Sequence, residues 1–163
     1  MGRRLKQAAV VFVVVVAAAQ LFRPERANPP TDVSRTIQAQ VGTANGLVAV
    51  LDRSCRDCHS NGTVWPWYTQ IAPVSWLVAS GVTKGRQAVN FSEWAAYSPE
   101  QQRMLLTVSC DDVKSGKMPG LYTLLRPETR LSPQDIETIC AAARLTEASA
   151  ADRRRHRTNA EDL

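Results

Sequence analysis

The sequence predicts a mostly α-helical domain with long loops. Two helices have clear start signals, because Ser98 and Ser132 each stand as a capping serine before a proline at the first helical position. A third helix is indicated by the apolar run from Leu47 to Leu51, in which Leu47, Val50 and Leu51 share one helical face. Segments rich in proline and glycine separate these runs and predict the loops.

The segment that follows the third helix carries a C-x-x-C-H pattern, formed by Cys55, Cys58 and His59. This pattern is typical of covalent haem c attachment. Two thiols at this spacing can each add to one vinyl group of a haem, and the histidine that follows then lies over the ring, where imidazole binds iron. The only other histidine, His156, lies in a charged tail. The sequence therefore predicts one covalent haem, with His59 as its proximal iron ligand.

The N-terminal segment, residues 1–22, is predicted to be a signal peptide or a membrane anchor. A basic start with Arg3, Arg4 and Lys6 precedes an unbroken apolar stretch from Ala8 to Ala19. Cleavage after Ala19 and retention as an anchor through residues 4–22 are both open. Either alternative places the rest of the chain outside the cytoplasm, in the periplasm or a comparable compartment.

Charge argues against a nucleic-acid partner. The net charge is +5, but three of these charges are the basic residues before Ala8, and no acidic residue precedes Glu25. A nucleic-acid-binding domain would carry its basic charge on the folded part.

Three further regions follow the N-terminal segment. Residues 23–32 are a proline-rich spacer that we expect to be semi-rigid and unpacked. Residues 33–146 form the predicted haem-binding domain, and residues 147–163 form a charged, disordered or solvated tail.

Within the domain, residues 33–53 are compatible with helix, interrupted by glycines, and residues 62–71 are predicted to be an irregular loop. Pro73 is expected in the first turn of a short helix ending near Val78, because Gly81 and Gly85 weaken any continuation. Ser92 is expected to cap a short turn. The helix after Ser98 should end near Lys114, and the one after Ser132 should bury Ile136, Ile139, Cys140 and Ala143.

Met118 is the candidate for the second iron ligand. It lies between Gly116 and Gly120 in a loop joining two predicted helices, whereas Met104 lies inside a helix and is expected in the core. Met or His is the usual sixth ligand of an electron-transfer haem. The order helix, C-x-x-C-H, loop, methionine, helix is that of a class I cytochrome c, a helical domain wrapped around one covalent haem.

Several further blocks follow in a fixed order. They are Trp65-Pro66-Trp67-Tyr68, Ala72-Pro73-Val74-Ser75-Trp76, Gly85-Arg86, Asn90-Phe91-Ser92-Glu93-Trp94 and Ser115-Gly116-Lys117-Met118-Pro119. With the haem motif, they resemble the haem-binding domain family of small, exported, single-haem c-type cytochromes, over roughly residues 33–145. The resemblance implies covalent haem c, a cytochrome-like helical fold and an N-terminal export signal or anchor. Arg126 stands where the resemblance leads us to expect a histidine, which favours Met118 as the ligand.

Aromatic and basic residues after the motif are candidate walls of the haem pocket. The four tryptophans all fall between Trp65 and Trp94, and simple packing is the alternative for each of them. Arg86 is a candidate partner of a haem propionate, with a solvated surface position as the alternative. A backbone carbonyl of Pro66 or Pro73 is expected to orient the His59 ring. The candidate haem contacts beyond the ligands are Trp65, Trp67, Tyr68 and Arg86.

Cys110 and Cys140 remain once the haem motif has used its pair of thiols. Each lies late in one of the two capped helices, and an oxidising compartment would allow them to bond. Two separate buried thiols are the alternative.

The residues favour an electron carrier over two other classes. A haem-based sensor with a labile sixth ligand is the main alternative. A thiol enzyme or a zinc site fits poorly, because a helix rather than a strand precedes the motif and no second close-spaced ligand pair occurs. The expected partners are redox proteins of unknown identity and the haem c maturation machinery.

Overall fold

Helices make up about 72% of the structure, a computed structural model that describes residues 2–42 and 46–161. Side chains are described for these residues except 152–154 and 156–161, so the side chain of His156 lies outside the described part. Residues 43–45 also lie outside it. No β-strand occurs in the described ranges, and the predicted mostly α-helical fold class is confirmed.

The described residues form eight α-helices and four short 3₁₀ helices. The α-helices are α1 (Gly2–Ala19), α2 (Ile37–Val41), α3 (Leu47–Ser54), α4 (Arg56–His59), α5 (Val74–Ala88), α6 (Pro99–Lys114), α7 (Tyr122–Leu125) and α8 (Pro133–Glu161). The 3₁₀ helices span Val33–Arg35, Trp67–Gln70, Phe91–Ala96 and Pro127–Thr129.

Helices α6 and α8 begin where the capping signals predict. Ser98 accepts a hydrogen bond from the Gln101 backbone, and the Gln101 side chain accepts one from Ser98 N, which completes a capping box. Ser132 and Asp135 exchange the same pair of bonds at the start of α8. The two helices pack against each other.

The core lies between α3, α6 and α8. Each helix contributes apolar residues at helical spacing, and the predicted faces of α3 and α8 are confirmed, with Ile136 partly buried at the edge. The buried residues of this cluster include Leu47, Val50, Leu51, Leu106, Cys110, Val113, Ile139, Cys140 and Ala143.

A disulfide between Cys110 and Cys140 joins α6 to α8 inside this core. Its Cα atoms are 4.9 Å apart, which is within the usual range for a bonded pair. The disulfide alternative is therefore the one that the structure supports, rather than two separate thiols.

Helix α5 is longer than the sequence predicts. Pro73 is the N-cap rather than a first-turn residue, and the helix continues past Val78, Gly81 and Gly85 to Ala88. A glycine in a helix costs only about 1 kcal/mol relative to alanine, so tertiary packing of the buried face easily outweighs it.

Two other local predictions differ from the structure. The residues after Trp67 form a 3₁₀ helix within the predicted irregular loop. Asn90, not Ser92, caps the 3₁₀ helix at Phe91–Ala96, since its side chain accepts a hydrogen bond from Ser92 N. The Ser92 hydroxyl instead accepts one from Asn61 N, which anchors the loop after the haem motif.

The predicted spacer is hydrogen-bonded along the domain rather than detached from it. Asn28 donates to Thr63 O at 2.9 Å, and Pro30 O accepts from the Asn61 side chain at 3.2 Å. These bonds form because the spacer lies beside the loop that follows the haem motif, where its polar groups find backbone partners.

The two ends of the chain form helices. Helix α1 has no buried residue, and its apolar side chains from Val10 to Val15 are exposed. Among the described residues, no helix combines the length and apolar character needed to cross a membrane. Beyond Thr146, where the sequence predicts a disordered or solvated tail, helix α8 continues to Glu161, in a run rich in alanine and arginine, which favour helix.

We expect the double variant Cys110→Ala/Cys140→Ala to lose roughly 3–4 kcal/mol of unfolding free energy, because the bond closes a loop of 30 residues in the unfolded chain. Chemical denaturation measures the difference. Under reductant, the wild type and the variant should have similar unfolding free energies. Equal stability under oxidising conditions would contradict the prediction.

Asp135→Asn should destabilise the protein by about 1 kcal/mol at neutral pH. Burial alone would raise the pKa of Asp135, but hydrogen bonds from Ser132 and the charge of Arg53, 2.7 Å away, hold it below 3.8. A lowered pKa stabilises the fold above the unfolded-state value and loses that effect as pH falls. The difference in unfolding free energy should therefore be present at pH 7 and shrink as the pH falls through the lowered pKa of Asp135. An equal difference in unfolding free energy at pH 7 and at low pH would show that the shape of the Asp135 side chain, and not its charge, stabilises the fold.

Candidate functional site

The haem motif lies at the junction of α3 and α4. Cys55 ends α3 and begins α4, with its N–H bonded to Leu51 O, and His59 N bonds back to Cys55 O at 3.0 Å. One helical turn therefore holds Cys55, Cys58 and His59 together. Both cysteines are free thiols, and both are partly exposed.

Helix α5 lies directly against this turn. A Cβ atom on Gly85 would be 2.3 Å from Cys58 O, which is closer than side-chain carbons approach. Glycine is therefore required at this contact, and it lets the α5 backbone touch the motif. Gly85 has a low helix propensity, but it is the residue that allows α5 to pack against the motif.

The His59 ring is oriented by a backbone carbonyl at the end of α5. Its Nδ1 lies 3.2 Å from Val89 O. A carbonyl only accepts, so Nδ1 carries the proton and Nε2 is left with its lone pair, as a metal ligand requires. Burial lowers the pKa of His59, which keeps the ring neutral. The expectation that Pro66 or Pro73 supplies this carbonyl is wrong.

Three cavities surround His59 and Met118, and both residues line all three. The two larger cavities have volumes of about 310 and 340 Å³, and the small one is about 40 Å³. Cys55 and Cys58 also line the small one. The four residues predicted to bind the cofactor and its iron are thus brought to one place, although far apart in sequence.

Most of the surface that lines the three cavities is apolar. Along α6 the lining residues follow a spacing of three and four, which is the signature of one helical face. The aliphatic lining of the 310 Å³ cavity is supplied by Leu51, Ala88, Leu105, Val108, Val113 and Ile139. Such a lining suits a large apolar ligand with few polar anchors.

Met118 lies on a loop shaped by two glycines. Gly116 and Gly120 have φ of +73° and +56°, which favours glycine, and Met118 N donates to Asp112 O at 3.1 Å. Met118 is 38% exposed. Met104 is 59% exposed rather than buried, because the buried face of α6 is on its other side, and Met104 does not line the three cavities.

The tryptophans do not line the three cavities around His59. Trp94 is buried in the core between Phe91 and Tyr97. The Trp65 indole donates to the Asn28 side chain, and that of Trp76 donates to a backbone carbonyl, which ties them to the N-terminal part of the chain. Trp67 is exposed, and the Tyr68 hydroxyl lies 3.5 Å from Leu125 O.

The Arg86 guanidinium is already used within the protein. It donates to Ser60 O, Ala27 O, Asn28 Oδ1 and Thr63 Oγ1 at 2.8–3.0 Å. These bonds fasten the spacer to the loop after the haem motif. The structure therefore gives Arg86 a structural role, and its contact with a propionate stays a prediction.

The motif thiols are poor candidates for thiol chemistry. Burial, followed by the neighbouring Cys58, raises the pKa of Cys55 to about 12. Burial and the Asp57 carboxylate raise that of Cys58 to about 11. A reactive thiol needs a lowered pKa and a cationic setting.

Sequence reasoning missed several site residues. The face of α6 that includes Leu105 and Val108 has a helical spacing that was visible in the sequence. Lys84 and Lys117, which line the 310 Å³ cavity, and the carbonyl of Val89 carried no such signal. Their places depend on how α5 and the Met118 loop pack.

The sequence matches the family described as haem-binding domain over residues 14–144, which is most of the chain. No curated protein and no solved structure matches it.

We expect Gly85→Ala to lower the unfolding free energy by about 2–3 kcal/mol, because the added methyl group would collide with the Cys58 carbonyl. Gly81→Ala is the matched control, since nothing lies within 4 Å of its added Cβ. It should be neutral or stabilising by up to about 1 kcal/mol, because alanine is the better helix former. Chemical denaturation compares the two, and equal effects would mean that α5 does not touch the motif at Gly85.

Proposed function

The chain belongs to the haem-binding domain family, and from this we propose that it is an exported, single-haem c-type cytochrome. Cys55 and Cys58 hold the haem through thioether bonds, and His59 and Met118 ligate its iron. The protein passes single electrons between redox partners and is a carrier rather than an enzyme.

One observation carries this proposal. Cys55, Cys58, His59 and Met118 all line the 40 Å³ cavity, and His59 and Met118 also line the two larger ones, so the two thiols and two iron ligands that a haem c would need lie together. A neutral imidazole with a free Nε2 and a thioether are the ligand set typical of cytochromes c. The residues present therefore fit a haem c.

The described residues have separate tasks around the site. Val89 O holds the His59 tautomer, and the aliphatic walls exclude water from the site. Lys84 and Lys117 are the lysines on the lining of the 310 Å³ cavity, and we propose them as further partners of the propionates. Lys117 also pairs with Asp112 at 2.9 Å, which fixes its position.

An iron ligated by histidine and methionine changes between ferric and ferrous states by one electron, with a raised potential. The properties of the motif thiols bear on whether the protein is a carrier or an enzyme. The thiols of the motif have raised pKa values, which does not favour a nucleophilic role for them. These features support a carrier.

A haem-based sensor is the second candidate. Met118 is 38% exposed and lies on a loop, so a small ligand that replaced it would need to displace only this side chain. In that case Met118 would be a labile ligand, and the iron would bind the incoming molecule.

Export rests on the N-terminal sequence. A basic start before an apolar segment directs the chain out of the cytoplasm, as a cleaved signal or a retained anchor. The Cys110–Cys140 disulfide is compatible with an oxidising compartment, where the haem c maturation machinery also works.

Expression together with haem c maturation machinery tests the ligand assignment. The wild type should keep its haem after denaturation and show a far-red sulfur-to-iron band in the ferric state. Met118→Ala should lose that band and have a lower reduction potential, because the methionine ligand raises it. Met104→Ala is the matched control and should keep both properties, since Met104 is on the outer face of α6.

Other outcomes separate the alternatives. Haem that is extracted from the wild type by denaturation would overturn covalent attachment. A wild type that is high-spin, or that readily binds carbon monoxide, would favour the sensor.

A further inference from the structure

Asp57, between the two motif cysteines, connects three segments through its carboxylate. Its Oδ1 accepts a hydrogen bond from Val64 N at 3.0 Å. Its Oδ2 accepts one from the Tyr122 hydroxyl at 3.0 Å and lies 3.4 Å from an Arg126 guanidinium nitrogen. The side chains of Asp57 and Arg126 are only 14% and 24% exposed, so solvent screens the pair weakly.

Tyr122 and Arg126 belong to the segment that directly follows Met118. They lie one helical turn apart, and Arg126 N bonds to Tyr122 O at 3.0 Å. Tyr122 also lines two of the three cavities together with Met118. Asp57 therefore joins the motif that carries His59 to the segment that directly follows Met118.

The Met118 loop is held at both ends. Asp112 holds its start, through the hydrogen bond from Met118 N and the ion pair with Lys117. Asp57 holds its end through Tyr122 and Arg126. Burial and the Asp57 charge raise the pKa of Tyr122, so its hydroxyl keeps the proton that it donates.

We propose that Asp57, Tyr122 and Arg126 are positioning residues that set how firmly Met118 ligates the iron. The inference rests on the proposed function. A methionine on an exposed loop must lose conformational freedom to reach the iron, and a loop already held in place loses less. Removing the contacts with Asp57 therefore weakens the Met118 bond without touching either ligand.

Titration of the ferric holoprotein with imidazole tests this, because imidazole competes with Met118 for the iron. Loss of the far-red band reports the competition. Asp57→Asn and Arg126→Leu should raise imidazole affinity about tenfold, since the first weakens the hydrogen bonds that the carboxylate accepts and the second removes its ion pair. Tyr122→Phe should raise it about threefold, and Arg126→Lys, which keeps the charge, should restore most of the wild-type value.

Asp135→Asn is the matched control. It also breaks an ion pair of an aspartate that is 14% exposed, but at the start of α8. We expect it to lower stability and leave imidazole affinity unchanged. The inference is overturned if Asp57→Asn, Arg126→Leu and Tyr122→Phe lower stability but keep an imidazole affinity within twofold of wild type. The role of these residues would then be structural only.

Two further results are decisive. If Asp57→Asn does not retain haem because it alters the motif, Tyr122→Phe and Arg126→Leu decide the matter, since they leave the motif intact. A wild type without the sulfur-to-iron band would overturn Met118 ligation itself, and the positioning role would fall with it.

Discussion

Helix α5 and the haem motif touch backbone to backbone at Gly85 and Cys58, and the rest of the site depends on this contact. No side chain separates the α5 backbone from the motif at this point. The residues from Gly85 to Val89 can therefore make three separate contacts with the motif and the loop after it. Gly85 makes the contact, Arg86 fastens the loop after the motif, and the carbonyl of Val89 orients the ring of His59. A displacement of α5 would therefore change ligand orientation, loop anchoring and cavity shape together.

Sequence reasoning predicted the parts of the structure that depend on local chemistry. The starts of α6 and α8 and the buried face of α3 depend on residues close together in the chain. The carbonyl at Val89 was out of reach, because any residue supplies a carbonyl and only packing selects one. The end of α5 was predicted wrongly for a related reason. The low helix propensity of Gly85 is a local property, whereas its close contact with Cys58 depends on tertiary packing.

The tryptophans also show that tertiary contacts are hard to predict from the sequence. Their clustering suggested an aromatic cavity, but indole N–H groups need partners, and those of Trp65 and Trp76 find them in the N-terminal part of the chain. The cavity is instead walled by aliphatic side chains on a regular face of α6. Composition thus indicated that an apolar site exists, while helical spacing identified the residues that build it.

The disulfide constrains the loop that contains Met118 as well as the core. Met118 lies inside the covalent ring that Cys110 and Cys140 close, so the disulfide as well as the backbone restricts how far it can move. A tethered ligand has a high effective concentration at its site and rebinds by an intramolecular step. In the proposed holoprotein, reduction of this one bond would therefore lengthen the time that a displaced Met118 stays away from the iron.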